Sequence, residues 1–259
     1  MDTAEDGAKK GDEKCREIMT RLIPFTVPLM IFPDRCPKPE NMLSGGSGAL
    51  VDTGEKRLLI TCSHVWKAYE KVLSESEHAV IVAGRGNAKQ PVILNGLPVL
   101  SRDESLDLVV VDFLDGSRLG NCSKSFFRAS CWPPEPPVKD DVLCVIGFPG
   151  LHNIISHGNT ARTLHADMVT DFVVSVSDRH MVLADEERVR TQAVYAPGIP
   201  QLGPLGGLSG SPAFVNRNST FEFVGVAYEA GDNTDATIFV SHACYLKANG
   251  DIDYGRLPW

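Results

Sequence analysis

A glycine-rich stretch, Gly203-Pro204-Leu205-Gly206-Gly207-Leu208-Ser209-Gly210-Ser211-Pro212, presents a serine at Ser209 and runs directly into the apolar Ala213-Phe214-Val215. Glycines at this density mark a backbone that turns tightly or leaves its amides uncovered. Successive bare N–H groups form a concavity that attracts negative charge. With Ser209 as a nucleophile, the amides of Gly207 and Ser209 would face the oxyanion formed when it attacks a carbonyl. The same composition also suits a surface loop whose serine only caps a turn. The chemistry therefore needs a base and an acid elsewhere in the chain.

His64 has the most informative surroundings of the seven histidines. It follows the apolar Leu58-Leu59-Ile60-Thr61-Cys62, at the point where a strand gives way to a loop or short helix. A rigid strand end holds a side chain more accurately than a free loop. An ordinary hydrogen-bonded histidine remains the alternative; His78, His152, His157, His165, His180 and His242 lack comparable context. An imidazole base needs an acceptor on its other nitrogen. Asp107 leads the run Leu108-Val109-Val110-Val111, where an unpaired buried carboxylate would be expensive. A water-facing aspartate at a strand edge is the plainer reading. Asp103, in a polar loop, and Asp112, at the far end of the strand with opposite parity, compete for the role.

The elements that must position these groups are short and numerous. The chain has 259 residues, 43% hydrophobic and 22% charged, enough for one large or two small domains. Its 23 glycines and 17 prolines favour an all-β architecture. Residues 1–17 read as a polar lead-in or short polar helix, and 22–32 as a strand placed at a sheet edge by its prolines. Residues 33–48 read as a loop. Strands are expected at 48–51, 58–61, 78–83, 92–100 and 106–114, with a short helix over 65–76 and 126–131 closing the first unit. The run Trp132-Pro133-Pro134-Glu135-Pro136-Pro137 reads as a stiff connector. Beyond it, strands are expected at 142–147, 168–177, 180–184, 188–194, 212–215, 221–228 and 237–240, with a terminal helix over 242–248. The organisation is thus a lead-in (1–17), a first barrel (18–131), a connector (132–141) and a second barrel (142–259).

Ile60-Thr61-Cys62-Ser63-His64, Asp107-Leu108-Val109-Val110 and Gly207-Leu208-Ser209-Gly210-Ser211-Pro212 together resemble the three catalytic signatures of chymotrypsin-like (trypsin-like) serine peptidases, in that family's order. The resemblance spans residues 22–246 and is strongest at the serine motif. It implies two antiparallel six-stranded β-barrels with the active site in the cleft between them, His64 and Asp107 coming from the first and Ser209 from the second. It implies a serine endopeptidase with catalytic His64, Asp107 and Ser209, an oxyanion hole from Gly207 and Ser209, and no cofactor or metal. A catalytically silent peptide-binding module and a partner-activated cytoplasmic effector are the alternatives.

Departures from the family pattern sharpen these expectations. Leu208 stands where many secreted relatives carry the aspartate that pairs with a freed amino terminus, so activity should not depend on such cleavage. Val65 replaces the cysteine that follows the base histidine in many relatives. Gly203 lies at the base of the expected primary pocket, six positions before Ser209, and Tyr228-Glu229-Ala230-Gly231 forms its wall. With no carboxylate at Gly203, a small or apolar substrate residue is preferred; Glu229 is either a wall residue or a solvent-facing turn residue. Seven irregularly spaced cysteines fit neither a zinc site nor a disulfide scaffold and favour a reducing, cytoplasmic setting. The net charge of -8 gives no broad footprint for nucleic acid, and no stretch reaches membrane-spanning length. The expected partners are a protein or peptide substrate and, in the effector reading, a regulatory protein.

Overall fold

Short apolar runs without alternation, such as Leu58-Leu59-Ile60 and Leu108-Val109-Val110-Val111, become strands buried on both faces. The computed structural model describes residues 4–35, 37, 41–85, 91–114, 119, 123–148, 155–157, 161–163, 166–183, 189–192, 207–230 and 237–256. Helix α1 (Ala4–Leu22) ends before Pro24, and strand β1 (Thr26–Phe32) follows a single 3-10 turn. Then come β2 (Ser44–Asp52), β3 (Arg57–Thr61), α2 (Ser63–Glu75), β4 (Val80–Arg85), β5 (Pro91–Ile93), β6 (Val99–Asp103), β7 (Leu108–Asp112) and β8 (Phe127–Arg128). The second half holds β9 (Val142–Gly147), the hairpin β10 (Ile155–His157) and β11 (Ala161–Thr163), then β12 (Asp167–Val176), β13 (His180–Leu183), β14 (Val189–Gln192), β15 (Pro212–Arg217), β16 (Thr220–Ala230) and β17 (Ile238–His242).

The C-terminal strands close. Pairing runs β13–β17–β16–β15–β9–β12 and returns from β12 to β13, making a six-stranded antiparallel barrel with β14 added outside on β12. Register shifts at Val173/Ser175, Ala213/Phe214 and Ala227/Glu229 supply the local bends that closure needs. The N-terminal strands run β5–β4–β1–β2–β3–β7–β6, with no pairing between β5 and β6 among the described residues. Strand β8 joins the end of β2 in parallel, at Val51 and Asp52. Of the two closed antiparallel barrels expected, the described residues show one; the N-terminal sheet does not close among them.

Alternation along the strands builds three large cores, beside a small cluster of Phe32, Val80 and Val82. Leu50, Leu59, Val109 and Val111 point into the core of the N-terminal sheet, which α2 covers with Val65, Trp66 and Tyr69. Leu143, Val145, Val169, Ala213 and Val215 fill the C-terminal barrel. Their neighbours Val51, Leu58, Ile60, Val110, Cys144, Ile146, Met168 and Phe214 point the other way and pack the two halves together. Double-sided burial explains the continuous apolar runs.

Five local expectations give way to tertiary packing. Residues 1–17 do not end a lead-in: helix α1 continues to Leu22 and inserts Met19 and Leu22 into the core between the halves. β1 is no edge strand, since it pairs with both β2 and β4; its Pro28 lies beyond the last β4 pair, Met30–Val82, with Gly84 opposite the ring. Residues 44–48 are strand rather than loop, because they pair with Val27–Ile31 of β1, and Gly46 and Gly48 face atoms too close for a side chain. The expected strand 92–100 is two, β5 and β6, and the terminal helix shrinks to a 3-10 turn at Ala243–Tyr245.

Phe214 joins these parts: its ring meets Phe127 at 5.2 Å, Phe223 at 6.0 Å and Phe25 at 6.5 Å. Phe214→Ala should destabilise the fold by about 3–5 kcal/mol. Urea unfolding measures this; a loss under about 1 kcal/mol would mean that the shared core does not join the halves as described.

Candidate functional site

Helix α2 begins with unsatisfied N–H groups, as any helix does. Asp107 supplies acceptors for two of them: its carbonyl takes the Ser63 N–H at 3.1 Å and its Oδ1 takes the His64 N–H at 2.9 Å. Its other oxygen, Oδ2, lies 2.5 Å from His64 Nδ1. One carboxylate therefore caps the helix and holds the imidazole that the helix presents. Asp107 does not lie in the apolar strand; it stands one residue before β7 in the left-handed region, at φ 48°. That bend lets it turn toward α2.

The competing carboxylates are occupied elsewhere. Asp103 Oδ1 accepts bonds from the Ser105 N–H (2.8 Å), the Ser105 hydroxyl (2.7 Å) and the Leu106 N–H (3.0 Å). Partial burial pushes its carboxyl up, but these donors outweigh it and hold the group below the usual range. Asp112 is buried at the end of β7 and paired with Lys56.

Ser209 sits across the seam, on a turn leading into β15. Gly207 and Gly210 have φ of 96° and 86°, values that favour glycine. The carbonyls of this turn are engaged: Gly207 O by Ser47 Oγ (3.2 Å), Leu208 O by the Ser211 N–H (2.8 Å) and Ser209 O by the Ser47 N–H (2.8 Å). The Gly210 N–H is donated to Ala227 O at 2.6 Å. The N–H groups of Gly207, Leu208 and Ser209 make no hydrogen bond among the described residues. The turn thus keeps its carbonyls inward and leaves successive amides uncommitted, a donor arrangement suited to an anion.

The structure brings His64 and Asp107 into contact but does not hydrogen-bond His64 to Ser209. Ser209 Oγ instead donates to the Tyr228 carbonyl at 3.3 Å. Tyr228, Glu229 and Ala230 lie inside β16, which continues two residues beyond the expected strand. Gly203 lies outside the described residues. Sequence reasoning passed over His180, whose ring packs 6.3 Å from Tyr228 and 5.4 Å from Phe239, beside the strand that receives Ser209. It also passed over Ser47, hidden among glycines that read as loop.

Cys62 lies beneath this group. Its Sγ contacts Ala227 O at 3.2 Å, and one ligand atom each from Cys62, His64 and Asp107 falls within 4.8 Å of the others. These three could hold a soft cation such as zinc. Burial, followed by the negative charge of Asp107, pushes the Cys62 thiol well above its ordinary value. The thiolate, not the thiol, reacts with alkylating agents. At about pH 8, iodoacetamide should label exposed Cys131 and spare Cys62 in the folded protein, as read by peptide mass mapping. Rapid labelling of Cys62 would show that the thiol is open or ionised.

No protein-family model and no curated protein matches the chain. Among solved structures, it is similar to Rv3671c from M. tuberculosis H37Rv, crystallised as a serine-to-alanine mutant in an inactive form. The two share 15% identity over 88% of this chain and 85% of that one, with a TM-score of 0.41. At that score the likeness carries neither architecture nor activity across, and the fold described here rests on strand pairing. No described helix is long and apolar enough to cross a membrane.

Proposed function

We propose that this chain is a serine endopeptidase of the chymotrypsin-like kind. The observation that carries the reading is the grip of Asp107 on His64, with Oδ1 on the backbone and Oδ2 on Nδ1 at 2.5 Å. A carboxylate on Nδ1 leaves Nε2 as the basic nitrogen and stabilises the imidazolium that forms when it takes a proton. The uncommitted amides of Gly207 and Ser209 support the same reading, because they are the donors a tetrahedral oxyanion needs.

In this mechanism Ser209 Oγ leaves the Tyr228 carbonyl and attacks the scissile carbonyl carbon as His64 Nε2 removes its proton. The carbonyl oxygen becomes an oxyanion held by the Gly207 and Ser209 N–H groups. The intermediate collapses, the C–N bond breaks, and His64 donates the proton to the departing amine. Water, deprotonated by His64, then attacks the acyl ester and frees Ser209. His64 returns the proton taken from water to Ser209 Oγ as the acyl C–O bond breaks, so water is the only co-reactant.

A small or apolar side chain is the preferred primary residue in this reading, because the sequence carries glycine and no carboxylate six positions before Ser209. The five described cysteines are all free thiols, which supports a reducing, cytoplasmic setting. A second reading draws support from the resting position of Ser209. With its hydroxyl on Tyr228 rather than on His64, the chain is also suited to holding a peptide without cutting it, or to cutting only after a partner or substrate displaces that bond.

A fluorophosphonate probe separates these readings. The wild-type chain should be labelled at Ser209 and Ser209→Ala should not. Asp107→Asn keeps an oxygen for the His64 N–H but favours the wrong imidazole tautomer, so it should lower kcat by roughly 10⁴-fold with the fold intact. Peptide hydrolysis that persists in Ser209→Ala would exclude this mechanism. A wild-type chain that binds peptide but takes no label, even in cell extract, would favour the silent module.

A further inference from the structure

We infer that Ser47 is a positioning residue for the oxyanion donors, acting from the N-terminal sheet on the nucleophile turn of the C-terminal barrel; this rests on the reading above. Ser47 is fully buried in β2, and each of its polar groups is engaged. Its N–H is donated to Ser209 O at 2.8 Å and its hydroxyl to Gly207 O at 3.2 Å. The hydroxyl oxygen accepts the Phe148 N–H at 2.9 Å, and the Ser47 carbonyl accepts the Thr61 hydroxyl at 2.7 Å. One residue therefore reaches two carbonyls of the turn, on either side of Leu208, while being anchored from β3 and from the residue after β9.

The geometry gives the side chain a task beyond filling space. In a trans peptide the C=O and N–H point in opposite directions. Holding Gly207 O toward Ser47 orients the peptide joining Gly207 to Leu208 and sets ψ of Gly207. Glycine allows many backbone conformations, and at φ 96° its own preferences do not define this one. The Leu208–Ser209 peptide is held separately by the Ser211 N–H. The Ser47 hydroxyl thus restrains the carbonyl side of Gly207, the residue that carries one proposed donor, and the peptide that links it toward the Ser209 N–H.

The surrounding glycines keep the contact close. A Cβ at Gly210 would stand 1.9 Å from Ser47 O and 2.3 Å from Thr61 Oγ1. One at Gly46 would meet Ser209 O at 2.9 Å, and one at Gly147 would meet Ser47 Oγ at 2.9 Å. Glycines on both sides of the seam leave space for this serine. Its hydroxyl makes no contact with His64 or Asp107, so a change there acts on the donors and not on the base.

Ser47→Ala keeps the backbone N–H and removes only the hydroxyl. With wild-type peptidase activity in hand, kcat should fall at least tenfold, a fraction of the loss from removing an oxyanion donor, with KM within about twofold. The pH midpoint of kcat should not move, because His64 and Asp107 are untouched. Ser47→Cys, which retains a weak donor, should recover part of the rate. Wild-type kcat in Ser47→Ala, or a loss confined to KM, would overturn the inference. The backbone amide resonances of Gly207, Leu208 and Ser209 give a readout independent of turnover. In Ser47→Ala they should shift or broaden while that of Asp103 stays in place. Unchanged resonances would overturn the inference even if the wild-type chain proves inactive, and an inactive wild type would count against the peptidase reading alone. Should Ser47→Ala fail to fold, the same measurements on Ser47→Gly, which also lacks the hydroxyl, decide, with wild-type kcat and resonances again overturning it.

Discussion

The Ser209 carbonyl lies in the seam between an open sheet and a closed barrel, and it finds its donor on the opposite side, in the N–H of Ser47 at 2.8 Å. A buried carbonyl without a partner costs about 1–3 kcal/mol, so this pairing constrains how the two halves meet. The neighbouring polar groups obey the same requirement: Cys62 reaches Ala227, and Ser241 donates to Leu106 from the barrel side. The apolar surface shared by Val51, Ile60, Ile146 and Phe214 brings the halves together without direction. The hydrogen bonds of the seam set the register, and with it the relation of Ser209 to the residues on the N-terminal side.

Asp107 illustrates how local structure creates reactive geometry. A helix start needs acceptors, a strand start needs a turn, and one aspartate in the left-handed region supplies both. Its second oxygen is then directed at the imidazole. His64 engages both carboxylate oxygens, Oδ1 through its backbone N–H and Oδ2 through its ring, while the Asp107 carbonyl takes the Ser63 N–H. The thiol beneath it, kept neutral by burial and by the same carboxylate, adds no competing charge.

The three candidate groups stand out in the sequence because their residue types are demanding: a serine among glycines, a histidine at a strand end and an aspartate before an apolar run. Most strands were legible too, since β7 and β9 are continuous apolar runs. Other features depended on neighbours that sequence spacing does not reveal. The last turns of α1 look polar until Met19 and Leu22 meet the barrel. Gly45, Gly46 and Gly48 have poor strand propensity, yet they pair with β1 as part of β2, at positions with no room for side chains. Ser47 was hidden by the same glycines. Closure of the C-terminal barrel involves register shifts in β12, β15 and β16, and the N-terminal sheet carries shifts of its own in β4 and β6; composition encodes neither set. The resting contact of Ser209 with Tyr228 is a rotamer choice and left no trace in the chain.

The central claim is that His64 and the bare amides of the Ser209 turn converge on one reacting carbon. A crystal structure of the chain after reaction with a small fluorophosphonate tests it most directly. The account predicts phosphorus bonded to Ser209 Oγ, one phosphoryl oxygen about 3 Å from the Gly207 and Ser209 nitrogens, and His64 Nε2 within hydrogen-bond reach of the adduct. An unmodified Ser209, or an adduct whose oxygen points away from both amides, would contradict it.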